Sequence, residues 1–254
     1  MNNTLLRVAI AVTAVLLLTS CSPSGGETAT GSTPVAAPTE EAAVVESLPF
    51  NASNLLGGTA RPSFPDGEAG EVSVVQIGPL DADSGTLLFA FRNNTSDGIS
   101  HVDWTATAPS GGSLVATGGS QGVAPAQIQP GEVGLAFIYF EGNSEVPDDA
   151  DYEFSVSGSP VDTAPDNTAP LAVTEVSLVG DAIVGTATNG TGAETTSPYR
   201  ITVYCFDGDN LVSQFTDFAK EKGDIAEGGT VTFSTRHKSG VCPSFVVGVS
   251  GYFS

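Results

Sequence analysis

The chain has 254 residues, of which 29 are acidic and only 8 are basic, and its formal net charge at pH 7 is −21. This charge repels nucleic acids, anionic lipids and anionic wall polymers, and it argues against all three as partners. Hydrophobic residues make up 40% of the chain, which is enough to build the packed cores of one or two domains.

The first predicted element is a short apolar segment near the start of the chain. Arg7 precedes the apolar run 8–18, and small residues follow it. The run is too short for a membrane-spanning helix, which needs about 20 apolar residues. A cationic residue, a short apolar core and small residues at a cleavage site are typical of a signal peptide. The alternatives are an ordinary secretory signal and a buried helix.

The end of this segment, Leu18-Thr19-Ser20-Cys21, resembles the lipobox of bacterial lipoproteins. The resemblance implies a signal peptide over residues 1–20, cleavage before Cys21 and a diacylglyceryl anchor, with acyl chains such as palmitate, on the Cys21 sulfur. The protein would then lie at the extracytoplasmic face of the cell membrane. Two acyl chains anchor stably, whereas one does so marginally.

Residues 22–47 contain no aromatic, leucine or isoleucine residue, so they cannot bury a core. With Cys21 they are predicted to form a disordered stalk over 21–47. Residues 48–70 are predicted to be an ordered lead-in, because Phe50, Leu55, Leu56 and Phe64 offer apolar contacts to the first domain. The three prolines of this segment exclude long regular elements.

The remaining sequence repeats itself. Residues 111–115 match 208–212, and 128–131 match 225–228, both at a separation of 97 residues. Asn94 and Asn189 each close a strand-like run. We therefore predict two homologous domains, 71–158 and 171–254, joined by a linker over 159–170.

Short strands are predicted in both copies, because runs of apolar and β-branched residues are bounded by Gly, Asn, Asp and Pro. This pattern predicts an all-β fold of two tandem β-sandwiches, each sheet with one buried face, and Trp104 in the first core. The predicted strands are 86–92, 101–108, 133–140 and 152–157 in the first copy, and 182–188, 200–206, 230–235 and 245–251 in the second.

Three cysteines are present, and lipidation of Cys21 leaves Cys205 and Cys242. In an oxidising compartment this pair is expected to form a disulfide. The alternative is two separate buried thiols.

Two short motifs resemble immunoglobulin-like domains. Residues 148–154, Asp-Asp-Ala-Asp-Tyr-Glu-Phe, resemble the Asp-x-Ala-x-Tyr-x-Cys corner of that family, with Phe154 in the place of the cysteine. Residues 204–212, followed by Ile225-x-x-Gly228, resemble FxLYD and related telokin-like domains of bacterial lipoproteins. The resemblance implies tandem immunoglobulin-like domains and a structural role for Tyr152. The Lys-poor, Ala/Gly/Thr/Val-rich usage resembles that of actinobacteria.

Little in the sequence predicts catalysis or a cofactor. The two histidines, His101 and His237, stand at non-equivalent positions of the two copies, and no Gly-x-Ser-x-Gly motif is present. Two histidines, the initiator methionine and paired cysteines leave few ligands for a transition metal. We predict no catalytic residue, no metal ligand and no cofactor.

Calcium and anionic ligands remain open alternatives. The segment 141–153 carries six carboxylates and Asp207-Gly208-Asp209-Asn210 carries two, and calcium prefers such oxygen ligands. Neither segment fits a calcium-binding loop motif, and a solvated acidic loop is the favoured interpretation. The basic run Arg236-His237-Lys238 is interpreted as a solvated hairpin loop, with contact to the first domain or to an anion as the alternative.

The favoured function is a non-catalytic, membrane-anchored extracellular lipoprotein. Its tandem domains would bind or adhere to an extracellular protein or wall component that the sequence does not identify, or would act as a spacer. A calcium-dependent or ion-sensing envelope accessory protein is the second hypothesis, and a hydrolytic enzyme is the third.

Overall fold

A computed structural model describes residues 45–141, 146–147, 150–236 and 242–254. The predicted signal peptide, Cys21 and residues 22–44 of the predicted stalk lie outside the described residues. The described part is all-β, as predicted, and it contains no apolar helix long enough to cross a bilayer. Its strands are β1 (Gly57–Gly58), β2 (Val72–Asp81), β3 (Thr86–Asn93), β4 (Ile99–Ser110), β5 (Ser113–Ala124), β6 (Gln127–Ile128), β7 (Val133–Phe140), β8 (Glu153–Pro160), β9 (Thr168–Val179), β10 (Ala182–Thr188), β11 (Thr195–Asp207), β12 (Asn210–Phe218), β13 (Asp224–Ile225), β14 (Thr230–Arg236) and β15 (Ser244–Phe253).

Each repeat forms one hydrogen-bonded sheet that folds over on itself. The first has the strand order β2-β3-β7-β5-β4-β6, with β8 beside β4. The second has the order β12-β11-β15-β9-β10-β14, with β1 beside β15 and β13 beside β11. The fold-over occurs at β5, which pairs with β4 and then with β7, and at β9, which pairs with β15 and then with β10. Both repeats are therefore β-sandwiches, as predicted.

All of the predicted strands are present, but four long strands, β2, β5, β9 and β12, were not predicted. Glycines interrupt the apolar pattern of β5, and Gly78-Pro79 interrupts that of β2, and both residue types normally weaken a strand. The predicted linker 159–170 also differs from the structure, because β8 extends to Pro160 and β9 begins at Thr168.

Each sandwich has its own core. In the first, Trp104 packs against the rings of Phe89 and Phe91 at centroid distances of 5.3 and 5.1 Å. In the second, the core includes the disulfide between Cys205 and Cys242, whose sulfurs are 2.02 Å apart, as predicted. The bridge joins the end of β11 to the residues just before β15, its neighbour in the same sheet.

A third apolar cluster lies between the two repeats. Alternate side chains of β3 point to opposite faces, so that Leu87 and Phe89 enter the first core while Leu88 and Ala90 enter this cluster. The prediction of one buried face per sheet is therefore wrong for strands that meet the other repeat, such as β3, which is buried on both faces. It is correct for β4 and β14, whose residues alternate between buried and exposed. The buried residues that the repeats contribute are Leu88, Ala90, Ala124, Val133 and Leu135 from the first, and Tyr204, Phe206, Leu211 and Val246 from the second.

The predicted lead-in is ordered, but it docks on both repeats rather than on the first alone. We call residues 48–65 the strap. Phe50, Leu56 and Phe64 pack into the cluster between the repeats. Gly57–Gly58 pairs with β15 of the second repeat. The strap thus closes the interface along one side.

Arg92 attaches the strap to the first repeat. Its guanidinium donates to the carbonyl oxygens of Leu48 (2.8 Å), Phe64 (3.3 Å), Pro65 (3.1 Å) and Gly131 (2.6 Å). Burial lowers the pKa of Arg92, although the nearby Asp66 carboxylate acts in the opposite direction. These four bonds satisfy a charged group that would otherwise be costly to bury.

Candidate functional site: the groove between the repeats

The candidate site begins where β2 of the first repeat meets the edge strand β12 of the second. Gln76 Nε2 donates to the Asp209 carbonyl oxygen (3.0 Å), and the Leu211 N–H donates to Gln76 Oε1 (3.3 Å). The side-chain amide of Gln76 therefore replaces one peptide group of a neighbouring strand. Beyond this contact, the two strands bound a cavity of about 460 Å³, within the usual size range of ligand pockets. We call this cavity the groove.

The groove has an apolar interior and a charged rim. Its apolar lining comes from both repeats, with Leu80 and Leu88 on one side and Val212 and Phe215 on the other. A ligand there would bury apolar surface against two separate sheets. The polar and charged residues of the lining include Asp81, Ser213, Gln214, Thr216, Asp217, Thr235 and Arg236.

One edge of β12 faces away from its sheet. In the described part of the chain, β12 pairs only with β11. The Ala219 N–H donates to the Tyr199 carbonyl oxygen (2.9 Å), so these two residues form a hydrogen-bonded pair between the strands. Along an antiparallel ladder, hydrogen-bonded pairs alternate with pairs that are not hydrogen-bonded. Because the pattern alternates, Gln214 and Thr216 direct their N–H and C=O groups away from β11. Both residues line the groove.

Two side-chain atoms of the groove residues lack hydrogen-bond partners. Ser213 Oγ and Gln214 Oε1 are buried and unpaired. A buried polar atom without a partner costs about 1–3 kcal/mol, and most such atoms in folded proteins are paired.

The rim of the groove is mainly negative. Asp81 and Asp217 are exposed; Asp81 Oδ1 accepts the N–H groups of Asp83 and Ser84 in the turn after β2, and Asp217 Oδ1 accepts the N–H of Phe218 at the end of β12. Arg236 Nε lies 3.8 Å from Asp181 Oδ1, and both side chains are largely exposed. Such exposed ion pairs contribute little to stability. Because Asp181 lies beside Arg236, no described lining residue of the groove is a cation without a nearby carboxylate.

A smaller cleft of about 160 Å³ contains His101, Asp103 and Ser250. His101 has a φ of 47° and lies on a β-bulge between Ser100 and Asp103. The second repeat has a bulge at the equivalent place, between Thr196 and Arg200, so the bulge belongs to the fold of both repeats. Within the described residues, His101 makes no hydrogen bond to Asp103 or Ser250. The three side chains do not form the hydrogen-bonded chain that activates a serine.

Arg200 holds the two repeats together beside this cleft. Its Nη1 donates to the Gln121 carbonyl oxygen of the first repeat, and its guanidinium lies 6.0 Å from the ring centre of Phe218. A Cβ at Gly122 would lie 2.5 Å from Nη1, so glycine is needed for this approach. No motif in the sequence predicted this contact, because it joins residues far apart in the chain.

The structure places the remaining predicted sites apart from the groove or outside the described residues. Part of the acidic segment (142–145 and 148–149) and the basic residues His237 and Lys238 lie outside the described residues, as does Cys21. Asp209 Oδ1 accepts the Ser63 N–H (3.0 Å), so this acidic turn fixes the strap. No group of three or more metal-ligating side chains occurs among the described residues.

Tyr152, to which the resemblance assigned a structural role, packs against Phe140 and Phe154 at centroid distances of 6.1 and 6.4 Å. A bond from a tyrosine hydroxyl to the upstream backbone occurs at Tyr199, which donates to the Thr195 carbonyl oxygen (2.8 Å). The sequence analysis did not predict that bond.

Comparison with known proteins gives no matching family model and no curated protein with significant similarity. The resemblance to FxLYD and telokin-like domains of lipoproteins therefore stays a prediction.

Proposed function

We propose that this chain is a lipid-anchored, extracytoplasmic and non-catalytic binding protein, and that its ligand occupies the groove between the repeats. One observation carries the proposal. The groove combines an unpaired strand edge, at Gln214 and Thr216, with an apolar lining that both repeats supply. An open strand edge readily pairs with the backbone of another chain, and an apolar lining gains free energy when a ligand covers it.

The packing of the repeats favours binding over a spacer role. A spacer gains reach when its domains follow one another end to end, whereas these two repeats pack sheet against sheet. The walls of the groove are held by contacts on several sides, including Arg200 on Gln121 and the Tyr204 hydroxyl on the Leu135 carbonyl oxygen (3.1 Å). A preformed site binds more tightly because little conformational freedom is lost on binding.

Membrane attachment rests on Cys21 and the stalk that follows it. A stalk over residues 21–47 would lift the groove away from the lipid headgroups, by roughly 25–30 Å if it behaves as a random coil. The strap begins where this stalk ends. A ligand would therefore be held close to the outer face of the membrane, at a distance that varies with the extension of the stalk.

Site-specific photocrosslinking of the full-length protein in its native envelope tests this function. Benzoylphenylalanine is placed at Thr216, which is exposed in the groove, or at Thr117, which is exposed on the corresponding strand β5 of the first repeat. We expect a discrete adduct from Thr216 and none from Thr117. Equal labelling from the two positions, or no adduct from either, would show that the groove is not the binding site.

A further inference from the structure

We infer that the ligand of the groove is a peptide segment in extended conformation, which adds as a strand to the free edge of β12 and carries lysine or arginine side chains. The inference rests on the proposed function, since it names the ligand class of the same groove. Three features of the groove support it: the backbone edge, the apolar lining and the charge of the rim.

The edge of β12 is open only in its middle. At its start, the Asp209 carbonyl and the Leu211 N–H are occupied by Gln76. Elsewhere in the same sheet, one N–H on the outer edge of β14 is occupied, because the Thr232 N–H donates to Glu221 Oε1 (3.0 Å). Proteins normally protect free edges in this way, because an open edge pairs with other chains. The exposed backbone groups of Gln214 and Thr216 are therefore positioned for strand addition.

The apolar lining of the groove is placed to contact every second side chain of an added strand. Successive side chains of a strand point to opposite faces, so every second side chain of an added peptide would turn toward the first repeat. Leu80 and Leu88 of that repeat line the facing wall. Peptides that add to sheet edges gain affinity from the backbone bonds and specificity from such side-chain contacts.

The charge of the rim selects a cationic peptide. Asp81 and Asp217 stand on opposite walls of the groove, while Arg236 is opposed by Asp181. The whole chain carries a net charge of −21, which repels an acidic peptide at longer range. Lysine or arginine side chains next to the rim would meet carboxylates of both repeats.

The test uses fluorescein-labelled decapeptides and fluorescence anisotropy with the full-length protein in non-ionic detergent. The probes are a Lys-Val alternating peptide, a Glu-Val alternating peptide and a Lys-Val peptide N-methylated at alternate residues, which keeps the charge but cannot form the ladder. We expect the Lys-Val peptide to bind at least tenfold more tightly than either of the other two. Equal binding of the two Lys-Val peptides would overturn the inference.

Variants of the protein separate the groove from general attraction to an acidic surface. Thr216→Pro removes the outward N–H, which an edge strand tolerates, and is expected to weaken binding of the Lys-Val peptide at least tenfold. Asp217→Asn is expected to weaken it several-fold. The matched control Asp103→Asn removes an exposed carboxylate on β4 and should leave binding unchanged. The inference is wrong if Asp217→Asn and Asp103→Asn have the same effect, whether or not Thr216→Pro folds.

Failure of the inference and failure of the proposed function give different results. If no decapeptide binds but Thr216 still yields a crosslinked adduct in the envelope, the groove binds another class of ligand and only the peptide inference fails. If no decapeptide binds and Thr216 yields no adduct, both fail.

Discussion

Asn93 and Asn189 make the same hydrogen bonds in the two repeats. Both side chains are buried, and both stand just after or at the end of the second strand of their sandwich. Asn93, and not Asn94 as the sequence analysis expected, is thus the counterpart of Asn189. Asn93 Nδ2 donates to the carbonyl oxygens of Asp97 (2.8 Å) and Ile128 (3.1 Å). In the same way, Asn189 Nδ2 donates to the carbonyl oxygens of Ala193 (2.8 Å) and Ile225 (2.9 Å). Each Oδ1 accepts the N–H and the hydroxyl of a threonine, Thr95 in the first repeat and Thr191 in the second.

Each asparagine should therefore be essential for the stability of its repeat. Asn93→Ala and Asn189→Ala each remove the four hydrogen bonds of a buried amide, two to carbonyl oxygens and two from a threonine, and we expect a loss of about 2–4 kcal/mol in the free energy of unfolding. Urea denaturation measures this loss. Asn210→Ala, an exposed control, should change stability by no more than about 0.5 kcal/mol. Near-neutral effects of both buried variants would contradict the shared role.

The repeat, eight of the long strands and the disulfide could be predicted because their signals are local or recur in the chain. The offset of 97 residues places Gly111 opposite Gly208, and both glycines have positive φ in equivalent hairpin turns. Turn glycines and alternating apolar residues are read from short windows of sequence. The same windows carry no information on which faces of the two sandwiches meet.

The interface was missed because it depends on differences between the copies. Ala90 lies opposite Leu135 in the first repeat. At the corresponding position of the second repeat, Thr186 lies opposite Thr232. The first pair is buried against the other repeat, whereas Thr186 is half-buried and Thr232 is exposed. Likewise, Leu211 is 2% exposed between the repeats and its counterpart Leu114 is 63% exposed. The positions are apolar where the repeats meet and mostly polar where they face solvent.

The groove was also missed, because most of its lining residues lie on β2 and β12, two strands that the sequence pattern did not predict. Its polar residues are ordinary serine, threonine and glutamine side chains in no recognisable motif. Only the packing of the two repeats against each other brings them together with Leu80 and Leu88.

Exchanging equivalent residues tests the interface directly. Tyr204→Thr gives the second repeat the residue that the first repeat has at position 107, and removes a buried ring and its bond to Leu135. We expect a loss of about 3–5 kcal/mol in unfolding free energy. The reciprocal control Thr107→Tyr, on an outward face of β4, should stay within about 0.5 kcal/mol. Equal effects of the two exchanges would contradict the interface.

Glu221 predicts a specific pH dependence. Burial alone would raise the pKa of the Glu221 carboxyl, but hydrogen bonds from Thr232 and from nearby backbone N–H groups outweigh it and hold the pKa below its usual range. Its contribution to stability is therefore present above the pKa of the unfolded chain and is lost as pH falls through the folded pKa. Glu221→Gln should lower the melting temperature at pH 7, and the difference from wild type should shrink below about pH 4. A difference that does not change with pH would contradict this role.

Cys21 predicts lipidation and membrane retention. Metabolic labelling with a radioactive palmitate precursor should mark the wild-type protein, which should sediment with membranes. Cys21→Ser should remain unlabelled, because the sulfur that receives the diacylglyceryl group is gone. Ser20→Thr, which keeps a small residue before the cysteine, serves as the control and should still be labelled. Labelling of Cys21→Ser to the wild-type level would rule out the anchor.

A groove with fixed walls requires that the two repeats unfold as one unit. Whether they do so is the most direct test of a binding site between them. Hydrogen–deuterium pulse labelling across a urea titration, read by mass spectrometry, follows peptides from β3 and β7 separately from peptides from β11 and β15. The shared cluster and the strap predict one common midpoint for all four strands. Two separate midpoints, one for each repeat, would show that the repeats are independent and would contradict a binding site built between them.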